Sequence, residues 1–151
     1  MKTKRLFIYL ALLLMLVLGG VGCSSKDDDE VEKEEYEYPS ALCKAWVLVS
    51  YGNESNEVLK EAEGHYYEIT FCSDGTLSGL AYYNEIVGRY RCKGNKITID
   101  HFGMTKRYHE GSDPDMFFGQ HLTDVTTYSV TDTELRLYYS KDEYFKFRIK
   151  K

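Results

Sequence analysis

Residues 67–75 read YEITFCSDG, and they combine an amphipathic strand with the turn that ends it. Apolar side chains at Tyr67, Ile69 and Phe71 alternate with the polar Glu68 and Thr70. Alternation with a period of two gives a strand one apolar and one polar face, and the Asp-Gly pair that follows accepts the positive φ of a tight hairpin turn. The stretch therefore predicts one strand of an antiparallel sheet, with one face on a core and the other in water.

The same alternation recurs on both sides of this stretch. Further strands are predicted at residues 46–48, 80–83, 87–91, 97–99, 125–130, 135–139 and 145–149. Between Ile99 and Val125 the alternation fails, and Asp113-Pro114-Asp115 supplies a helix cap, a proline for the first helical position and an acid for the first turn. We expect a mainly β (α+β) fold: about eight antiparallel strands in a strongly bent sheet or small barrel, with one short helix from Pro114 to about Leu122.

The N-terminus has the composition of an export signal. Three basic residues precede an apolar run over residues 6–18, and the small residues 19–22 lead to Cys23. A membrane span would need about 18 apolar residues, so residues 1–22 are predicted to be a signal peptide. The junction resembles the lipobox of exported lipoproteins, although Gly20 stands where that motif usually has leucine. The resemblance implies that Cys23 is lipidated and holds the chain at a membrane.

The segment after Cys23 is strongly acidic, with eight acids against two lysines over residues 24–39. Low hydrophobicity and high charge predict a disordered tether that ends near Pro39 and leaves residues 40–151 as one domain. Within the tether, Lys26, Asp27, Asp28 and Asp29 resemble the export signal of surface-exposed lipoproteins of the Bacteroidetes type. That resemblance implies a lipid-anchored protein of the outer membrane, exposed at the cell surface; an inward-facing lipoprotein is the alternative.

The order of motifs in the domain resembles the META/HslJ-like domain. The matching positions are Trp46-x-Leu48, Phe71-x-x-Asp74-Gly75, Gly79, Tyr83-Asn84, Gly88-x-Tyr90, Gly94, Ile97-x-Ile99, Met104-Thr105, Leu122-x-x-Val125, Tyr128-x-Val130 and Leu135-x-Leu137. The resemblance implies a compact envelope domain, mainly β, without established catalytic activity. The chain departs from the family at Tyr82-Tyr83-Asn84, where the family often has Gly-Cys-Asn. A lipocalin-like topology is the competing interpretation.

Tyrosines and cysteines are the candidate functional residues. Rings are predicted to crowd strand edges and loops, where they would suit a binding surface for a protein or glycan partner, at Tyr66, Tyr82, Tyr83, Tyr108 and Tyr138. The ordinary alternative is that these are half-buried strand residues. Cys72 and Cys92 end neighbouring predicted strands and form a candidate disulfide, with three unpaired thiols, including Cys43, as the alternative.

The sequence gives no support for catalysis. It has no glycine-flanked serine elbow, phosphate loop or zinc-ligand spacing, so we expect no enzyme activity, cofactor or metal. The domain has no basic cluster, which argues against nucleic acid. The predicted function is that of a non-enzymatic envelope lipoprotein whose β domain binds a partner or supports envelope integrity. The alternatives are a lipocalin-like carrier of a small ligand and an exported protease inhibitor.

Overall fold

The structure is a computed structural model that describes residues 35–59, 66–107 and 114–151. Those ranges contain nine strands and one helix. In chain order they are β1 (Ala45–Asn53), β2 (Asn56–Leu59), β3 (Tyr67–Phe71), β4 (Thr76–Ala81), β5 (Asn84–Lys93), β6 (Lys96–Met104), α1 (Pro114–Thr123), β7 (Thr127–Val130), β8 (Glu134–Tyr138) and β9 (Tyr144–Ile149). The fold class predicted from sequence is confirmed.

All nine strands belong to one antiparallel sheet that closes on β1. One edge of β1 pairs with β3 through residues 45–47 and with β2 through residues 50–53. The other edge pairs with β9 from Trp46 to Gly52. Because the first and last strands of the series are hydrogen bonded, the strongly curved sheet closes into a ring, to which β2 is a short extension.

Strand β2 has no counterpart among the predicted strands. Its sequence is NEVL and its residues are mostly exposed, so it carries no apolar alternation. Glu57 attaches it to the sheet, since its carboxylate accepts a hydrogen bond from the buried Ser50 hydroxyl and lies 3.3 Å from Lys146 Nζ on β9. The hydrogen bond from Ser50 holds the pKa of Glu57 below its usual value.

The interior of the ring is filled by large side chains. Seven aromatic residues are almost completely buried: Trp46, Tyr67, Phe71, Tyr90, Phe118, Phe145 and Phe147. Phe118 comes from α1, and its ring centroid lies 5.1 Å from that of Tyr67 and 5.0 Å from that of Phe145. Each such side chain stabilises the fold by roughly 2 to 3 kcal/mol. The helix therefore closes the end of the ring where β1 ends.

Residues 35–44 cover the end at which β1 begins. Leu42 is completely buried and its carbonyl accepts a hydrogen bond from Trp46 Nε1 at 2.9 Å. The Tyr38 ring packs against that of Tyr90 with centroids 5.4 Å apart, and Glu37 forms an isolated β-bridge with Cys92. Contacts with the ring thus begin before the boundary that the sequence suggested near Pro39.

The join between β6 and β7 is short. Lys96 pairs with Thr127, and one further hydrogen bond flanks that pair on each side. On β7, the Tyr128 hydroxyl donates to the Gly94 carbonyl at 3.1 Å and lies within hydrogen-bond reach of the Cys92 thiol. Burial raises the pKa of the Cys92 thiol to about 11 and that of the Tyr128 phenol to about 12.

Replacement of Gly79 by alanine is expected to destabilise the domain by at least about 2 kcal/mol, because the atoms nearest to the added methyl group belong to the backbone of β3 and cannot rotate away. A Cβ at Gly79 would lie 2.0 Å from the Glu68 carbonyl oxygen on the neighbouring strand. Gly103→Ala is the matched control, since its Cβ would make only an ordinary contact with Val87, at 3.6 Å. Urea unfolding measures the free energy of unfolding of each variant. Equal values for the two variants would contradict the close approach of β3 and β4.

Stability is expected to fall at alkaline pH because Cys92 stays protonated in the folded protein. Burial raises the pKa of its thiol from 9.0 to about 11, so the stabilisation is complete below about pH 9 and is lost as the pH rises towards 11. Between pH 8 and pH 11, the natural chain should lose about 2 kcal/mol more than Cys92→Ala. Urea titrations at both pH values measure this, and identical losses would show that Cys92 contributes nothing.

Candidate functional site

The predicted tyrosine surface divides into two separate regions. Tyr66, Tyr82 and Tyr83 lie together beside the β4–β5 turn, where the Tyr82 N–H donates to the Tyr66 carbonyl at 2.8 Å. Tyr138 ends β8 and lies against Tyr144, with ring centroids 5.6 Å apart. Tyr108 lies outside the described residues. The four described residues, Tyr66, Tyr82, Tyr83 and Tyr138, therefore do not form one continuous binding face.

The β4–β5 turn is strained at Tyr82. Ala81 pairs with Asn84, so Tyr82 and Tyr83 form a two-residue turn, and Tyr82 has a φ of 49°. A bulky residue in this left-handed region costs on the order of 1 kcal/mol compared with glycine. Tyr82 packs partly on the core, while Tyr83 stays 44% exposed with its ring centroid 3.9 Å from that of Tyr82. The turn thus presents one tyrosine ring to solvent on top of another.

Tyr66 is 41% exposed but fixed by charged neighbours. Its hydroxyl donates to Glu68 Oε2 at 2.5 Å, and Lys150 Nζ lies 2.6 Å from the same oxygen. The hydrogen bond to Glu68 raises the pKa of the Tyr66 phenol. Beside this group, a shallow groove of about 560 Å³ crosses the outer face of β3, β4 and β5, and its lining includes Leu80 and the exposed Val87.

A second groove, of about 450 Å³, lies between the β1–β2 turn and the β8–β9 turn, and we call it the turn groove. The two turns come together because β1 pairs with both β2 and β9. Most of the lining residues are polar or charged, and two of them are aromatic. The lining residues are Asn53, Glu54, Ser55, Arg136, Tyr138, Lys141, Asp142 and Tyr144.

The guanidinium of Arg136 is held in the turn groove by a carboxylate and an aromatic ring. Its Nε donates to Glu134 Oε1 at 2.8 Å, and its guanidinium lies 4.9 Å from the centroid of the Tyr144 ring. Glu54, which is 86% exposed, stands 3.9 Å from Nη1. Lys141 on the facing turn is exposed and forms no ion pair with any described residue. A polar ligand would therefore meet one oriented guanidinium, one ammonium group and the carboxylates of Glu54 and Asp142.

Sequence reasoning missed most of this groove. Arg136 occupies a polar position in the alternation of Leu135 and Leu137, which predicts that it faces solvent. Its nearness to residues 53–55 could not be predicted, since that requires the pairing of β1 with β9. Residues 53–55 form a turn in which Asn53 Oδ1 accepts hydrogen bonds from the N–H groups of Ser55 and Asn56, at 3.0 and 2.9 Å.

The structure contains no disulfide bond between Cys72 and Cys92, the pair suggested by the sequence. Cys43, Cys72 and Cys92 are all free thiols. The pairing of Cys72 with Cys92 assumed that their strands are neighbours, but β4 lies between β3 and β5. In addition, Cys92 is buried against the core, while Cys72 is only partly buried.

The remaining sequence-based expectations concern residues outside the described ranges and the possibility of a metal site. Cys23 and the acidic signal of Lys26, Asp27, Asp28 and Asp29 lie outside the described ranges. Within 35–59, 66–107 and 114–151, no group of three or more histidine, cysteine or acidic residues is placed to hold a metal ion. The same residues include no helix with the length and apolar character needed to cross a membrane.

Comparison with known proteins identifies the domain. No curated protein matches the sequence. Among solved structures, a DUF4847 family protein from Bacteroides vulgatus ATCC 8482 is similar, with 20% identity and a TM-score of 0.56 over 72% of this chain and 94% of that one. A protein from Burkholderia xenovorans has 18% identity and a TM-score of 0.56 over 85% and 99% of the two chains. At these identities the likeness concerns the fold alone.

The sequence also matches the family model of the META domain over residues 40–151. That range includes every strand of the ring and the helix that closes one end of it. By this match the chain belongs to the META domain family.

Proposed function

We propose that the chain is an exported lipoprotein, anchored to a membrane through Cys23, whose META domain binds a partner at its outer surface. The observation that carries the proposal is the position of Cys23, directly after a basic, apolar and small-residue leader. Acyl chains on this cysteine stabilise membrane attachment by about 0.8 kcal/mol per buried CH₂ group, so that several chains give a stable anchor. The lysine and three aspartates over residues 26–29 favour an outward-facing position on the outer membrane.

The filled core supports binding at the outer surface over carriage of a ligand inside the ring. A carrier needs an empty apolar interior, whereas the interior here holds Trp46, Phe118 and five other large aromatic side chains. The grooves described above are open to solvent and lie on the outside of the sheet or between its turns. A macromolecular partner can reach them without any opening of the ring.

The distribution of shifted pKa values supports a non-enzymatic role. Catalytic groups with strongly shifted pKa values usually stand in a cleft, beside a charged partner. Here the large upward pKa shifts belong to Tyr90, Cys92, Tyr128 and Tyr139, and burial is the leading cause of each. These four residues belong to the core and not to the turn groove. Their shifts therefore reflect packing.

The turn groove is the part of the surface that we assign to the partner. Its oriented Arg136 and exposed Lys141 provide two cationic groups, and Glu54 and Asp142 line the same groove as two carboxylates. Arginine fixed by a carboxylate and an aromatic ring loses little freedom on binding, which favours affinity. The partner presents anionic or hydroxyl groups, as an acidic glycan or an acidic protein surface does.

Cys23→Ser is expected to release the protein from the membrane, since serine cannot carry the thioether-linked lipid. The measurement is acyl labelling together with fractionation of cells into membrane and soluble parts. The natural chain should be labelled and found with the membranes, and the variant should be unlabelled and soluble. A control variant, Cys43→Ser, should behave as the natural chain does. Membrane attachment of Cys23→Ser equal to that of the natural chain would overturn the anchor.

Lys141→Glu is expected to weaken partner binding about 5- to 10-fold, because it reverses the unpaired charge of the turn groove. The measurement is recovery of bound material from envelope extract by the immobilised mature chain. Lys93→Glu is the matched control, since it makes the same change on the exposed β5–β6 turn, outside the groove. Equal recovery with the two variants would exclude the turn groove as the binding site.

A further inference from the structure

The outer face of β3, β4 and β5 carries apolar side chains where a solvent-facing sheet usually has polar ones. Val87 on β5 is 58% exposed, and it lines the groove of about 560 Å³ together with the half-buried Leu80 on β4. The residues paired with Val87 are Ser78 on one side and Gly103 on the other. Because both are small, the Val87 side chain stands clear of its neighbours and the groove is shallow. We call this surface the sheet groove.

Tyr66 borders the sheet groove with a ring that is already fixed. The residue is 41% exposed, its hydroxyl donates to Glu68 Oε2 at 2.5 Å, and Lys150 Nζ lies 2.6 Å from the same oxygen. Tyr66 also lines a neighbouring depression that includes Val47. An aromatic side chain held in this way loses little conformational freedom when a ligand packs against it. Tyr66 is therefore suited to act as a stacking surface.

A second exposed tyrosine lies near the same end of the sheet groove. The Tyr82 N–H donates to the Tyr66 carbonyl at 2.8 Å, and Tyr83 follows in the β4–β5 turn with 44% of its surface exposed. The turn holds Tyr82 at a φ of 49°, a conformation that glycine adopts at lower cost. The chain thus keeps two tyrosines at this turn despite the strain. A ligand that extends past Tyr66 approaches Tyr83.

The charged residues that line the sheet groove are balanced locally. They are Glu68, Glu85 and Lys150. Glu68 is paired with Lys150, and Glu85 Oε1 lies 3.3 Å from Nη2 of Arg107. A charged ligand therefore gains little electrostatic attraction from this surface. The carboxylates and the Ser78 hydroxyl still have hydrogen-bonding capacity, because each of these oxygens has more than one lone pair.

The pairing of the strands argues against a peptide ligand. Strand β3 lies between β1 and β4, β4 between β3 and β5, and β5 between β4 and β6. An extended peptide binds a sheet by adding to a free edge, and the described residues of the sheet groove offer none. An acyl chain gains most from an enclosed apolar cavity, whereas this groove is open and its lining includes the hydroxyl groups of Thr70 and Ser78.

We propose that the sheet groove binds a neutral glycan. A pyranose ring has an apolar C–H face and a rim of hydroxyl groups, so it matches a surface that combines apolar side chains with charge-balanced polar groups. The apolar face packs on Tyr66, Leu80 and Val87, and the hydroxyl groups exchange hydrogen bonds with Ser78 and Glu85. The site shares no residue with the turn groove, and it goes beyond the proposed function.

The test is an NMR titration of the mature chain, residues 23–151, carrying Cys23→Ser. The probes are maltopentaose, cellopentaose, xylopentaose and mannopentaose, each added to about 10 mM, which saturates a site with a Kd of about 1 mM. We expect at least one of them to shift the amide signals of Ser78, Val87 and Gly103 with saturation. The signals of residues 53–55, in the turn groove, should not move. Trigalacturonic acid, the charged comparison, should bind more weakly than that neutral probe.

Three results would overturn the proposal. They are the absence of saturable shifts with all four neutral sugars, shifts confined to the turn groove, and tighter binding of trigalacturonic acid than of every neutral probe. The titration takes place in solution and without a lipid. Its failure would therefore leave the proposed membrane anchor unaffected.

Single variants test the role of the Tyr66 ring. Tyr66→Ala should weaken binding of the neutral sugar about 10-fold, and Tyr66→Phe, which keeps the ring, should stay within about 3-fold of the natural chain. Met116→Ala is the matched control, since it truncates a side chain that is 52% exposed on α1, outside the sheet groove. Equal affinities of Tyr66→Ala and Met116→Ala would contradict the site. The shift map of the natural chain decides the question even if Tyr66→Ala fails to fold.

Discussion

The pairing of β1 along both of its edges is the constraint on which the rest of the structure depends. Trp46 and Leu48 point into the core. The pairing of β1 with β9 has a register shift between Leu48 and Ser50, and this shift bends β1 at the point where its other edge passes from β3 to β2. Val47 faces the other way, but it is still 96% covered by neighbours that include Tyr66 and Lys150. Because β1 is paired on both edges, the sheet has no opening beside this strand, whereas β6 and β7 are joined by a single residue pair and two flanking hydrogen bonds.

Closure of the ring determines where activity can reside. The helix inserts Phe118 at one end, and residues 35–44 cover the other end with Tyr38 and Leu42. With the ends covered and the interior filled by aromatic rings, a ligand would have to displace side chains worth roughly 2 to 3 kcal/mol each. The outer surface offers binding without that cost. The oriented Arg136 of the turn groove and the strained turn at Tyr82 are the features of this surface that packing does not require.

Local patterns predicted most of the strands because most of them bury one face, but the strand predicted over residues 80–83 was wrong at Tyr82 and Tyr83, which form the β4–β5 turn. Residues 67–71, 97–99, 135–137 and 145–149 alternate in sequence, and all of them lie in strands. The sequence could not reveal which strands pair. The join of β1 to β9, the strand β4 between Cys72 and Cys92, and the meeting of residues 53–55 with Arg136 all depend on long-range register. Strand β2 was not predicted, because its polar edge sequence has no alternation of apolar and polar residues.

Trp46 gives the most direct test of a closed and filled ring, since it is the chain's single tryptophan and is completely buried. Its emission should therefore be blue-shifted and should resist quenching by acrylamide. The decisive measurement is titration of the mature protein with a long-chain fatty acid, an apolar ligand of the kind that an interior cavity would take up. We predict that the emission of Trp46 does not change. A saturable change with one ligand per chain would show that the interior is open, and it would contradict a function confined to the outer surface.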